Sequence, residues 1–211
     1  MKLTDSINTG VRRLPAWPIY AASAGYAAWL YWQGIAGALG PNPVEAIEHA
    51  LGEAALYLLI AGLAVTPLRT FARINLLKFR RAIGLACFFL VLVHLLTWAV
   101  LDVQALERVW ADIVKRPYIT VGMSAFALLL PLAMTSNNLS VRRLGPAWRR
   151  LHKLAYPAAV LGALHYVMLV KGWQAKPLFL LGITLALIAL RLPWVARPSR
   201  KKAGALARPQ S

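Results

Sequence analysis

The sequence contains a single cysteine, Cys87, which lies inside an apolar run. One cysteine excludes a disulfide framework, a Cys-x-x-Cys zinc site and the covalent attachment of a c-type haem. Acidic residues are scarce as well, since 7 Asp and Glu oppose 24 Lys and Arg and leave a formal net charge of +17. The basic residues form short clusters between long apolar runs, as in membrane proteins, so we expect no nucleic-acid partner.

Motifs for nucleotide binding and metal-dependent proteolysis are also missing. The sequence has no Walker motif, no Rossmann glycine fingerprint and no His-Glu-x-x-His zinc motif. The connections between the apolar runs are short, so we expect no soluble catalytic domain between them. Any reaction on a substrate would then take place on another protein.

Apolar residues dominate what is present. Of the 211 residues, 59% are hydrophobic and 15% are charged, and the mean hydropathy is +0.57. Soluble proteins average about 25% charged residues, and one soluble core of this size could not bury so much apolar surface. Because the apolar runs have the length of membrane-spanning helices, the composition predicts an all-α integral membrane protein.

Six apolar segments are each long enough to cross a hydrocarbon core of about 30 Å as a helix. They predict a six-transmembrane-helix bundle over residues 17–195, which follows an N-terminal segment, 1–16. The basic tail, 196–211, has a composition that predicts disorder. The predicted spans are Trp17–Leu39, Ile47–Leu68, Ala82–Leu101, Tyr118–Thr135, His152–Val170 and Pro177–Val195.

The basic residues also predict the orientation of the bundle. The N-terminal segment, the second-to-third connection, the fourth-to-fifth connection and the C-terminal segment carry 3, 5, 5 and 6 Lys and Arg. The connections on the opposite side carry 0, 3 and 2. Because Lys and Arg accumulate in cytoplasmic loops, both termini are predicted to be cytoplasmic. The outer connection Asp102–Pro117 is predicted to form an amphipathic surface helix.

Two histidines lie deep inside predicted spans, His94 in the third and His165 in the fifth. Ionisable residues inside a membrane are costly and mark functional sites by default. The two spans are parallel, and the histidines follow their starts by 12 and 13 residues, which predicts one shared depth in the outer half of the membrane. Two imidazoles at one depth favour the axial ligation of a b-type haem. The alternative is that they only act as polar glue between helices.

His152 lies at the inner end of the fifth span, 13 residues before His165. This spacing is about 20 Å along a helix, or one site per leaflet. The residue 13 before His94 is Arg81. We predict that His152, as a further iron ligand, and Arg81 take part in cofactor binding, and a plain interfacial role is the alternative for His152. Its basic neighbours suit haem propionates or a flavin phosphate. They are Arg149, Arg150 and Lys153.

His49 begins the second span near the outer face, four residues before Glu53. A residue in this position is most simply explained as an interfacial one. His49 is also a candidate neighbour of the outer haem.

Several glycines lie within the predicted spans. We interpret them as points where helices pack closely, because small residues let two helix backbones approach each other in a membrane. They are Gly52, Gly62, Gly84, Gly122 and Gly162.

Several short segments, taken in order, carry a resemblance to a known family. They are Pro41–Ala50, Val65–Arg69, Arg80–Leu85, Lys115–Gly122 and Trp148–Tyr156. Each segment is modest alone, but their order and spacing are specific. Together with His94 and His165 they cover most of the chain and resemble the ferric-reductase-like transmembrane domain family.

This resemblance implies a set of ligands and cofactors. Members of the family carry pairs of histidines on two helices and bind two stacked haems. The present sequence keeps three of the four positions, His94, His152 and His165, and has Arg81 at the fourth. The resemblance implies b-type haem together with FMN, in a protein of the bacterial inner membrane.

The resemblance also implies a role in electron transport. Electrons would come from the quinone pool or from a cytoplasmic flavin reductase. They would pass to a periplasmic molybdopterin-containing partner that reduces methionine sulfoxide in oxidised proteins, so that catalysis belongs to the partner. The alternative class is a non-redox membrane transporter or scaffold in which the histidines are interhelical glue.

Overall fold

The computed structural model describes residues 2–170, 172 and 174–191, and every regular element within these residues is helical. A π-helical segment, Thr97–Val103, continues the fourth helix, and short 3-10 turns precede the fourth and ninth. The predicted tail, 196–211, and residues 192–195 of the last predicted span lie outside the described residues. The α-helices are α1 (Lys2–Arg13), α2 (Trp17–Ile35), α3 (Pro43–Phe71), α4 (Arg80–Leu96), α5 (Leu106–Lys115), α6 (Pro117–Met134), α7 (Asn138–Leu144), α8 (Pro146–Leu151), α9 (Ala155–Leu169) and α10 (Ala175–Ala189).

Each predicted span overlaps one of the longer helices, namely α2, α3, α4, α6, α9 or α10. Within the described residues, three helical segments are both long and apolar enough to cross a membrane: Pro43–Phe71, Leu77–Val103 and Pro117–Met134. Helix α10 is apolar but shorter, with 15 residues. The protein is therefore an all-helical membrane protein over the part that the structure describes. The count of six spans and the orientation stay predictions.

The bundle is built on two helix pairs, because α3 packs along α4 and α6 packs along α9. Between α3 and α4, the side chains of Leu51, Ala55, Cys87 and Leu90 are at most 2% exposed. The Cys87 thiol donates a hydrogen bond of 3.3 Å to the Ala55 carbonyl. Small residues on α9 allow its neighbours to approach closely. The fully buried ones are Ala158, Ala159 and Ala163.

Two further helices flank these pairs. Helix α2 packs against α4 and α3, and a hydrogen bond of 2.8 Å joins the hydroxyls of Tyr31 and Thr97. Helix α10 packs against α9 and α3. Helix α3 therefore has neighbours from both halves of the chain.

The connection after the π-helical segment contains the predicted surface helix. Gln104 ends the segment in a left-handed conformation, with φ of 62°, and α5 follows. Trp110 and Val114 of α5 are 69% and 68% exposed. A short helix with exposed apolar side chains fits the expectation of an amphipathic helix that lies on a membrane surface.

A helix, α1, occupies most of the polar N-terminal segment and is bonded to the connection between α3 and α4. The Asn8 side chain donates to the Arg73 carbonyl at 3.0 Å and accepts from the Asn75 backbone N–H at 2.9 Å. Lys78 donates to the carbonyl of Arg12 at 2.9 Å. These bonds hold α1 against the basic connection.

Arg191, just after α10, closes a gap in the hydrogen bonding of α3. Pro67 lies inside α3 and has no N–H, so the carbonyl of Leu63, four residues earlier, lacks its helical donor. The Arg191 guanidinium donates to this carbonyl and, at 3.2 Å, to the carbonyl of Gly62. It also donates to the Tyr156 hydroxyl on α9 at 3.3 Å. One side chain thus joins the end of α10 to α3 and α9.

We expect Arg191→Ala to destabilise the bundle, because the Leu63 carbonyl loses its donor. A buried polar group without a partner costs about 1–3 kcal/mol. Pro67→Ala supplies a backbone N–H at this turn, so Arg191→Ala should cost less in a Pro67→Ala background than in the wild type. The stability of the wild type, the two single variants and the double variant is measured by thermal unfolding in detergent. An equal loss in both backgrounds would contradict this role of Arg191.

Candidate cofactor site

A cavity of about 380 Å³ lies between α3, α4, α6 and α9, the four helices of the two pairs. Apolar side chains such as Leu56, Val91 and Phe126 form much of its wall. His94 and His165 line the same cavity. An apolar space between helices with a few convergent polar groups is the usual form of a cofactor site in a helix bundle.

The two histidines that the sequence predicts at one depth lie close together. The centroids of the His94 and His165 rings are 6.4 Å apart, and the ring planes make an angle of 72°. Neither ring is hydrogen-bonded to the other among the described residues; each bonds instead to a neighbouring helix.

Both rings are held through the same nitrogen. His94 Nδ1 lies 2.9 Å from the carbonyl oxygen of Glu48 on α3, and His165 Nδ1 lies 2.7 Å from that of Tyr118 on α6. A carbonyl oxygen can only accept, so both Nδ1 atoms carry the proton and donate. The Nε2 atom of a neutral ring then keeps its lone pair. Backbone carbonyls hold metal-binding histidines in this tautomer.

The separation of the rings fits a metal bound between them. A metal in line between the two Nε2 atoms, with bonds of about 2 Å and about 1 Å more from each nitrogen to the centre of its ring, would place the centroids about 6 Å apart. The observed distance is 6.4 Å. Within the described residues, no group of three or more His, Cys, Asp and Glu is arranged to hold a metal ion. Two imidazoles with free Nε2 atoms fit haem, whose porphyrin supplies the remaining ligands of the iron.

Gly52 of α3 and Gly122 of α6 line the cavity as well. The sequence predicts both as helix-packing points, but it does not indicate what packs on them. In the structure, the nearest side chains are the His94 ring for Gly52 and the His165 ring for Gly122.

Charged residues gather at the end of the cavity formed by the starts of α3 and α6. The carboxylates of Glu45, Glu48 and Asp102 line it there together with Arg116. The Glu48 Oε1 atom is buried and has no hydrogen-bond partner among the described residues. His49, the candidate neighbour of an outer cofactor, lines this end and is exposed.

His152 is not among the residues that line this cavity. Its ring stacks on Trp148 with centroids 3.9 Å apart and an angle of 27°. His152 Nε2 lies 3.1 Å from the Thr135 hydroxyl, while Trp148 Nε1 donates to the Thr135 carbonyl at 2.9 Å. A metal bond at Nε2 would have to replace the bond to Thr135.

Arg81, the second residue predicted to bind a cofactor at the inner end, is hydrogen-bonded to α7. Its guanidinium donates to the side-chain oxygen of Asn138, at the start of α7, at 2.8 Å. No hydrogen bond links Arg81 to His152 within the described ranges. The preceding residue, Arg80, is close enough to act electrostatically on His152.

Comparison with known families defines the class of this protein. The family described as "Ferric reductase like transmembrane component" matches residues 51–163, more than half of the chain. The match includes His94 and His152 and ends just before His165. No solved structure matches the chain. The class is a ferric-reductase-like membrane protein.

Curated relatives narrow this class. "Protein-methionine-sulfoxide reductase heme-binding subunit MsrQ" of Brucella anthropi is 44% identical over 196 residues, which cover 92% of this chain and 87% of the relative. The proteins of the same name in Brucella ovis and Brucella canis are 47% identical over 183 residues, covering 86% of this chain and 82% of each relative. The chain belongs to the MsrQ family of haem-binding subunits.

Proposed function

We propose that this protein is a transmembrane electron-transfer subunit that carries electrons through a b-type haem to a methionine-sulfoxide reductase. The observation that carries the proposal is the pair His94 and His165, whose Nδ1 atoms are bonded to carbonyls and whose Nε2 atoms keep their lone pairs beside one cavity. The name of the relatives, heme-binding subunits of protein-methionine-sulfoxide reductase, supports it.

In this proposal the chain binds and orients the cofactor. His94 and His165 would be the residues that hold the haem iron. Haem iron supplies one-electron chemistry by alternating between its ferric and ferrous states. The carbonyls of Glu48 and Tyr118 keep the ring proton on Nδ1 and raise the basicity of Nε2. Apolar walls such as Phe126 limit the access of water.

The proposal includes six spans in the bacterial inner membrane, with both termini in the cytoplasm. The excess of Lys and Arg in alternate connections supports this orientation. His94 and His165 then lie in the outer half of the membrane, so electrons leave on the periplasmic side. The proposed acceptor is a periplasmic molybdopterin-containing catalytic subunit that reduces methionine sulfoxide in oxidised proteins. The proposed donor is the quinone pool or a cytoplasmic flavin reductase.

FMN is proposed as a second cofactor at the inner end of the bundle. The stacked rings of Trp148 and His152 offer an aromatic surface there. The basic residues around them suit a phosphate group, since Arg and Lys form charge-assisted bonds to phosphate oxygens. This inner group consists of Arg80, Arg81, Arg149, Arg150 and Lys153.

A second candidate function is a non-redox transporter or scaffold in which the histidines only join helices. It is favoured by the fact that both Nδ1 bonds cross between helices, from α4 to α3 and from α9 to α6. A role in joining helices requires these bonds alone, whereas haem ligation also uses both Nε2 atoms and the cavity beside them. The absorption spectrum of the purified protein distinguishes the two functions, because bound haem has a strong Soret band.

We expect His94→Ala and His165→Ala each to abolish low-spin haem, because one imidazole cannot supply both axial ligands. The measurement is the haem-to-protein ratio and the absorption spectrum of each purified variant. His49→Ala is measured beside them, because His49 lines the same cavity outside the pair; an unchanged low-spin spectrum in this variant would make His49 an interfacial residue and not a neighbour of the haem. Wild-type haem content in both ligand variants would contradict the pairing, and a haem-free wild type from haem-supplied cells would contradict the function.

We expect His152→Ala to lower FMN occupancy, or to slow reduction by the donor, while the spectrum of the His94 and His165 site persists. The reason is that His152 stacks on Trp148 away from the cavity of that pair. Flavin content and the rate of haem reduction are measured on the same preparations. If both match the wild type, His152 is an interfacial residue.

The orientation can be tested with single engineered cysteines, because Cys87 is the only cysteine and is 1% exposed. Glu107→Cys on α5 should react with a membrane-impermeant maleimide in intact spheroplasts. Arg143→Cys on α7 should react only after the membrane is opened. Both positions are exposed in the structure. The opposite labelling pattern would overturn the proposed orientation.

A further inference from the structure

The wall of α3 beside His94 has a glycine one turn after the carbonyl that the ring binds. His94 Nδ1 donates to the carbonyl of Glu48 at 2.9 Å. A Cβ atom added to Gly52, four residues later, would lie 3.3 Å from Cε1 and 3.4 Å from Nδ1 of the ring. The imidazole thus lies against bare helix backbone, with almost no room for a methyl group.

Helix α6 repeats this arrangement for the second ligand. His165 Nδ1 donates to the carbonyl of Tyr118 at 2.7 Å. A Cβ atom added to Gly122, again four residues later, would lie 2.8 Å from Nδ1 and 3.0 Å from Cε1. Cβ atoms do not occur at the shorter of these distances, so a methyl group here would have to displace the ring.

Helix geometry explains the shared spacing. Residues four apart lie on the same helix face, one above the other. The carbonyl of the earlier residue points along the axis toward the later one. A ring from a neighbouring helix reaches that oxygen only by lying over the later residue, and a side chain at that position would fill the same space. Glycine is therefore what makes the bond between imidazole and carbonyl possible.

Other helix glycines of this chain do not share these contacts. A Cβ atom on Gly62, also on α3, would lie 3.6 Å from Ile83, an ordinary van der Waals distance. One on Gly84 or Gly182 would have no neighbour within 4 Å. Close contact with an imidazole thus distinguishes Gly52 and Gly122 from these glycines.

We propose that Gly52 and Gly122 are positioning residues for the two haem ligands. They allow each Nδ1 to reach its carbonyl, and this bond sets the tautomer and the direction of Nε2. Gly122 is the stricter of the two, because its clearance to the ring is shorter. The inference rests on the proposed function, since it assigns a role toward the ligands of that haem.

The test is to compare Gly52→Ala and Gly122→Ala with the wild type. Gly122→Ala should weaken haem retention by about 10- to 100-fold, as when the outer partner of a metal-bound histidine is lost. The haem that remains should show altered low-spin EPR signals. Its midpoint potential should be raised, because a ligand without its carbonyl bond is less basic and stabilises ferric iron less. Gly52→Ala should change the same quantities in the same direction by smaller amounts.

Gly62→Ala and Gly84→Ala are the matched controls, and both should keep the wild-type haem content, EPR signals and potential. Alanine favours a helix more than glycine does. A loss confined to Gly52 and Gly122 therefore cannot come from weakened helices. If Gly122→Ala does not assemble, Gly52→Ala, which has the larger clearance, decides the question.

The outcomes distinguish this inference from the proposed function. Wild-type haem retention, EPR signals and potential in Gly52→Ala and Gly122→Ala would overturn the positioning role, while loss of haem in His94→Ala would keep the function. Equal losses in the two control variants would also overturn it. A wild type that binds no haem would overturn both.

Discussion

Two hydrogen bonds from imidazole to backbone carbonyl, each crossing from one helix to its partner, define the centre of this bundle. The bond from His94 joins α4 to α3, and the bond from His165 joins α9 to α6. Because a carbonyl can only accept, each bond decides which nitrogen carries the proton and which stays free. It also holds the ring against the neighbouring helix, and so sets the width of the space between the two rings. The same two hydrogen bonds thus join the helices of each pair and determine which nitrogen of each ring is free to bind a metal.

Backbone carbonyls serve as partners in other parts of the bundle as well. In a membrane, polar groups have no water to bond with and must be satisfied internally. Arg191 bonds to α3 carbonyls beside the turn where Pro67 supplies no donor, and Cys87 bonds to the carbonyl of Ala55. Most of these contacts converge on α3, which packs against helices from both halves of the chain. The helix that receives His94 is therefore also the one that holds the bundle together.

The sequence predicts those features that follow from periodicity and position along the chain. Apolar runs indicate the six long helices, and nearly equal distances from the starts of two spans predicted to be parallel indicate that His94 and His165 lie together. Contacts that depend on how helices rotate about their axes are not predictable in this way. The rings that pack on Gly52 and Gly122 are such contacts, because a glycine alone does not show what lies over it. Helices α1 and α7 also escape prediction, since polar residues form them and interactions with the rest of the chain hold them.

The position of Cys87 bears on how this chain withstands oxidants. Thiols are oxidised most readily where they are accessible and ionised, and a structural thiol inside a core is inert. The only thiol of this protein is 1% exposed between α3 and α4 and is hydrogen-bonded to a carbonyl. The chain therefore presents no accessible thiol that an oxidant could convert to a sulfenic acid or a mixed disulfide. A protein proposed to support the repair of oxidised neighbours can keep its own single thiol reduced by burial alone.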